Sequence, residues 1–195
     1  MRDVPTRDRI LFASAELLRR QGYGGTGLKQ VLGQAQAPFG SLYHFFPGGK
    51  EELAEETLRA GGRFFLALYE HVSAEAGGDL ERIAHDFFHG AADTLAATDF
   101  HDACPIATVA GEIASTHDRL RQAAADAFES WLGALQRDCE AAGIAPDRAR
   151  TLAVTFLALL EGAFLLSRSG RSLEPMYAGA AAAQTLVAAE LTRST

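Results

Sequence analysis

Residues 26–53, TGLKQVLGQAQAPFGSLYHFFPGGKEEL, restrict the fold more than any other stretch of this chain. Leu28, Val31, Leu32 and Ala35 recur at i, i+3, i+4 and i+7, which puts four apolar side chains on one face of a short helix. Thr26 stands where a hydroxyl can cap that helix, by accepting from an N–H that the first turn leaves unpaired. The pattern breaks at Gln36-Ala37 and resumes at Pro38, a residue suited to a helix start because it lacks the N–H that the first turn cannot use. A second helix, from about Pro38 to Phe46, turns Leu42 and Phe46 inward and leaves Phe39, Ser41, Tyr43 and His44 on or beside its outer face. Two short helices joined by a tight turn make a helix-turn-helix, whose second helix fits the major groove of DNA.

Ala37 to Leu53, APFGSLYHFFPGGKEEL, resembles the signature of the TetR/AcrR transcriptional regulators. The shared pattern is a small polar residue, an aliphatic, Tyr-x-x-Phe-Pro, and a Lys opening the next helix. The paired glycines before Lys50, and Cys104-Pro105 further on, are similar to the LmrA/YxaF-type branch. Beyond residues 1–50 the resemblance is one of helical layout, with the Cys-Pro added. It implies a three-helix DNA-binding head over residues 1–50 and a helical ligand-binding and dimerisation domain over residues 51–195.

Carried onto this sequence, the resemblance makes Phe39, Gly40, Ser41 and His44 the base readers. Thr26, Tyr43 and Lys50 become the phosphate contacts, with Lys29 close to either group. A hydroxyl, a phenol and an ammonium all suit phosphate oxygens, and Gly40 allows backbone to approach DNA. The pattern departs from the family at Gln36, where glycine is usual, at Phe39, commonly Lys or another polar residue, and at Phe45, often His. The second motif helix therefore has no fixed positive charge, and an exposed Phe39 favours thymine methyls over guanine.

Taken alone the net charge of −7 opposes DNA binding, but residues 1–50 carry +4 and the remainder −11. A basic head on an acidic body suits a chain that meets phosphates at one end only. At 195 residues the chain can bury a sizeable core. It has no run of eighteen apolar residues, no apolar secretory segment in MRDVPTRDR, and only two distant cysteines. We therefore expect a cytoplasmic protein with no membrane segment.

The remaining pattern predicts an all-α chain. A helix from Thr6, its expected cap, to Gln21 carries Ile10, Ala13, Leu17 and Leu18 on one face and stops at Gly22. A long helix from Lys50 to about Ala76 is interrupted or bent at Gly61-Gly62. Further helices are expected over about 79–97, 105–115 and 118–142, then one opened by Pro146 with its apolar stretch from Leu152 to Leu166, and a last one over about 173–192. The one from Pro146 is apolar around much of its circumference, so it needs burial on more than one side. The Ala/Gly-rich last helix permits close approach, and both fit the pairing of two subunits that the resemblance implies. A two-fold dimer would set its heads on successive major grooves of a palindromic operator.

The resemblance also implies a pocket in the body for a small hydrophobic effector. Phe65, Leu68, Phe87, Phe88, Phe128, Trp131, Leu132, Phe156 and Leu160 are its candidate lining residues, although aromatics in so small a domain ordinarily build its core. Other chemistries are less well supported. His85 and His89, at i, i+4, supply only part of a metal-ligand set, even with His101 and Asp102 nearby, so no metal site is assigned. Cys104 lies at a helix start that favours a thiolate, which leaves a redox- or metal-responsive regulator as the alternative. Glu112, Glu161 and the two histidines could serve a helical-bundle enzyme or carrier, but no nucleophile–base pair, nucleotide loop or cofactor motif accompanies them. We expect no enzyme activity and no cofactor.

Overall fold

The computed structural model describes residues 4–194, which form nine helices and no strand. They are α1 (Thr6–Gly25), α2 (Leu28–Gln34), α3 (Phe39–Phe45), α4 (Gly49–Ala76), α5 (Leu80–Ala97), α6 (Pro105–Ile113), α7 (Asp118–Ala141), α8 (Pro146–Gly170) and α9 (Glu174–Ser194). They cluster into two compact units. One holds the chain up to Arg63 with Cys104–Ala127, the other Phe64–Ala103 with the chain from Phe128 onward. α4 and α7 contribute residues to both.

In the first unit, Ile10, Leu17, Val31, Leu32, Ala35, Leu42, Phe46 and Leu53 form one buried cluster from α1, α2, α3 and the start of α4. These are the positions that helical spacing assigns inward. α6 also packs on α1, and Arg59 of α4 pairs with Glu55 of its own helix and with Asp126 of α7, each 3.0 Å away. Arg119 adds a further ion pair to Glu55. Burial pushes the Glu55 carboxyl up, but its hydrogen bonds with the two guanidiniums and their charge outweigh that and hold it below the usual range.

Three local features differ from what the sequence predicts. Thr6 is already the first helical residue, because Pro5 takes the extended N-cap conformation (φ −51, ψ 144) and no side chain caps the turn. Thr26 does not cap α2 either: Gly27 holds that position, and the Thr26 hydroxyl donates to the Gly22 carbonyl at 2.6 Å. A hydroxyl can satisfy a carbonyl four residues back as readily as an N–H ahead. Finally, Gly61-Gly62 does not interrupt α4, which is helical throughout. A Cβ at Gly62 would lie 2.8 Å from that of Ala127, so this glycine lets α4 and α7 approach closely. Gly22, by contrast, leaves the helical region (φ 72, ψ −176) and ends the regular part of α1 where the sequence places its stop.

The second unit is built around α5, α8 and α9. Asp79 caps α5 by accepting from the Arg82 N–H at 3.1 Å. Phe88 of α5 is fully buried, its ring edge-on to Phe156 of α8 with centroids 5.2 Å apart. It also lies so close to α9 that a Cβ on Gly179 would fall 2.5 Å from its Cε1. Met176, Ala180, Ala183 and Val187 complete the inner face of α9. By length and composition α8 is apolar enough to cross a membrane, a property that the absence of an uninterrupted apolar run conceals. Its Leu152, Ala153, Phe156, Leu160 and Ala163 are buried in this core, whereas Val154, Leu165 and Leu166 are exposed, as are Tyr177 and Leu186 of α9.

Candidate nucleic-acid interface and effector-binding residues

The α2–α3 turn depends on two features. Gln36 takes a left-handed conformation (φ 49), which explains why a glycine is usual at this position in the family pattern. Arg9 of α1 binds the turn from behind, donating to the carbonyls of Ala35 at 3.0 Å and Gln36 at 3.4 Å, and to that of Val4 at 2.9 Å. The positive φ turns the chain sharply, so that α3 buries only Leu42 while Phe46, just beyond it, fills the cluster below. The amphipathic pattern gives no indication of the clamp by Arg9.

The outward face of α3 carries Phe39 and Tyr43, each about half exposed, with ring centroids 5.9 Å apart, together with exposed Gly40 and His44 and partly exposed Ser41. A Cβ at Gly40 would meet nothing within 4 Å, so that face is open. Gly49 (φ 70) turns the chain into α4 close beneath the Tyr43 ring, whose Cε1 would be 3.6 Å from an added Cβ. Lys29 is exposed on α2. Thr26 is placed differently: it is 3 % exposed and its hydroxyl proton is committed to Gly22.

Lys50 lies in the first turn of α4, with Nζ 4.3 Å from the centroid of the Tyr23 ring. The same ring meets His117 edge-on at 4.9 Å. Tyr23 stays a neutral phenol, since burial raises its pKa and the charges of Glu51 and Glu112 raise it further. Neither Tyr23 nor Arg9 belongs to the set inferred from the sequence. Both act through ring and carbonyl contacts that no spacing rule reveals.

The nine candidate effector contacts lie in the second unit and fall into two groups. Phe65 and Trp131 pack with centroids 5.7 Å apart, and Trp131 meets Phe128 edge-on at 5.4 Å. These three are partly exposed and Leu68 is exposed, so this group presents apolar surface. Phe88, Phe156 and Leu160 are core residues, with Phe87 and Leu132 packed against the same cluster. Near them Asp138 accepts hydrogen bonds from Tyr69 and Ser73, each 2.7 Å long. Burial and the bond to Asp138 raise the Tyr69 pKa strongly.

His85 and His89 stack with centroids 4.0 Å apart, and Tyr177 lies 5.1 Å from His89. Among the described residues no group of three or more His, Cys, Asp or Glu could hold a metal ion. Cys104 is buried at the N-cap of α6, where its Sγ accepts the Ala107 N–H at 3.4 Å. Burial, with Asp138 and Glu140 beside it, pushes the Cys139 thiol up to about 12.

Comparison with known proteins agrees with this geometry. Residues 10–57 match the model of bacterial regulatory proteins of the tetR family, and residues 81–182 match that of the transcriptional regulator LmrA/YxaF-like C-terminal domain. The chain is 38 % identical over 175 residues to the uncharacterized HTH-type transcriptional regulator Rv0196 of Mycobacterium tuberculosis, covering 87 % of this chain and 88 % of that one. It is 30 % identical over 171 residues to the HTH-type transcriptional regulator LmrA of Bacillus subtilis, covering 88 % and 90 % respectively. The fold is shared with a TetR transcriptional regulator from Legionella pneumophila, at a TM-score of 0.84 and 20 % identity over 95 % of this chain and 98 % of that one. The chain thus belongs to the TetR family of DNA-binding transcriptional regulators, not enzymes, and within it to the LmrA/YxaF-like branch.

Proposed function

We propose that this regulator is a homodimeric repressor that occupies a palindromic operator and leaves it when a small hydrophobic molecule binds the second unit. The observation that carries this reading is the exposed apolar surface of Val154, Leu165 and Leu166 on α8 and Tyr177 and Leu186 on α9. Both helices already bury another face in the core of their own chain, so this surface is available to a second copy. Two-fold pairing sets two α3 helices against half-sites about 34 Å apart.

Residues 1–50 are the DNA-binding part in this reading, and residues 51–195 bind effector and partner. Phe39, Gly40, Ser41 and His44 meet base edges, while Lys29, Tyr43 and Lys50 meet phosphates. Thr26 supports them by locking the turn at Gly22. The exposed rings of α3, without guanidinium or amide, favour thymine methyls. Phe65, Leu68, Phe128 and Trp131 are the effector contacts, suited to a flat, apolar molecule held between aromatic faces. To turn a 99:1 occupancy round, the effector must favour the released conformation about 10⁴-fold.

The test is to select bound fragments from genomic DNA, footprint them, and measure the mass of the complex. The reading expects an inverted repeat covered by two chains, and displacement by a flat apolar compound that quenches Trp131. A single protected half-site with one chain bound would end it.

A further inference from the structure

We propose that Glu112 of α6 is a positioning residue for DNA binding: its carboxylate fixes the Gly22–Gly25 turn and so holds Tyr23 beneath Lys50. The inference rests on the reading of Lys50 as a phosphate contact. Glu112 is an exposed acid on a largely apolar helix, which in isolation suggests nothing about DNA. Its two oxygens have separate tasks. Oε2 accepts the backbone N–H of Tyr23 at 2.7 Å, and Oε1 accepts that of Gly24 at 2.6 Å. These N–H groups open the short turn that follows Gly22, so the carboxylate takes donors left without a helical partner by the break in α1.

The glycines of GYGG match this arrangement. A Cβ on Gly22 would come within 2.5 Å of Oε2, and one on Gly24 would come closer still to Oε1. Gly22 also needs its positive φ to present both N–H groups to one side. The turn is bound from within as well: the Thr26 hydroxyl donates to the Gly22 carbonyl, and the Gln21 side chain donates to that of Gly25 at 2.9 Å.

What the turn carries is the Tyr23 ring. Its face receives the Lys50 ammonium at 4.3 Å, and the His117 ring meets it edge-on at 4.9 Å. A lysine has a long flexible stem, and a ring beneath its head restricts it while leaving N–H donors for a phosphate oxygen. Binding then gives up less freedom, which is preorganisation. Glu112 is thereby connected to the DNA surface through Tyr23 without touching DNA itself.

The test compares the full chain with Glu112→Gln and Gly24→Ala on the same operator, titrated over a series of salt concentrations. Gln supplies only one acceptor oxygen and turns an amide toward a backbone donor. Gly24→Ala keeps the acid but fills its place. Both are expected to release the Lys50 head from its place at the phosphate, and so to weaken binding severalfold and to lower the slope of log K against log salt by one phosphate contact, about 0.9. The sign is diagnostic, because removing an acid from a DNA-binding protein otherwise strengthens attraction to phosphates. Glu81→Gln, with the same charge change at an exposed position of α5, controls for that effect. A purely structural role would lower the melting temperature and leave the slope of the folded protein unchanged. That result, or wild-type affinity and slope in both variants, overturns the inference while the DNA-binding reading stands. If the wild type binds no DNA, the reading fails, and this inference with it.

Discussion

Gln36 holds a conformation that costs a side-chain-bearing residue about 1 kcal/mol, and Arg9 secures the turn with bonds to the carbonyls of Ala35 and Gln36. Gln36→Gly should therefore stabilise the head, by up to about 1 kcal/mol less the extra freedom glycine gains on unfolding. Urea unfolding followed by circular dichroism would register this as a higher midpoint with an unchanged m-value. At this scale the sequence was legible wherever a residue's role follows from periodicity. Ile10, Val31, Leu32, Leu42 and Phe46 are all buried as their spacing requires. It was not legible where a polar group chooses between two equivalent partners. Thr6 and Thr26 both have the composition of an N-cap, yet the entering conformation of Pro5 and the carbonyl of Gly22 decide otherwise.

Between helices, close approach and ion pairing decide what the sequence leaves open. Gly179 sits against the Phe88 ring, so Gly179→Ala must force the fully buried ring or the α9 backbone aside. Overpacking of this kind costs about 1–3 kcal/mol, and calorimetry should show a lower melting temperature for the variant. Gly62 has the same function between α4 and α7. A glycine pair reads as a helix break because propensity is local, whereas the use of Gly62 is set by Ala127, which is distant in sequence.

Glu55 predicts a pH dependence. Its folded pKa is below the unfolded value, so its contribution is complete above the ordinary glutamate range and disappears as pH falls through the folded pKa. Stability should therefore decrease on acidification from about pH 6 toward pH 3, and less steeply in Glu55→Gln. Urea midpoints of both proteins at each pH would measure the difference. An equal slope would show that the pairs with Arg59 and Arg119 contribute nothing. Spacing alone does not reveal this network, since Arg119 and Asp126 meet Glu55 and Arg59 only once the chain has folded.

For the molecule as a whole, the helix-turn-helix signature and the all-helical pattern were sufficient to reach the family, and the LmrA/YxaF-like match across residues 81–182 agrees with the Cys104-Pro105 cue. The candidate effector residues were less legible. Phe88 and Phe156 are large aromatics on helical apolar stripes just as Phe65 and Trp131 are, but the first pair is core and the second is partly exposed. Apolar side chains look alike until packing separates them. The same ambiguity affects α8, whose exposed Leu165 and Leu166 are proposed to meet a partner chain. Leu165→Glu would place a charge in that interface. Sedimentation equilibrium should then show a shift from dimer to monomer, with a corresponding loss of operator affinity.

To read an operator, this chain must place α3 in the major groove. An anisotropy titration of the footprinted operator with the wild type and Tyr43→Ala tests it most directly, because Tyr43 is half exposed and outside the core cluster. The prediction is saturable, salt-sensitive binding by the wild type and a loss of about tenfold or more in a variant that remains folded. Equal affinity of the two proteins would contradict the placement of α3 on DNA.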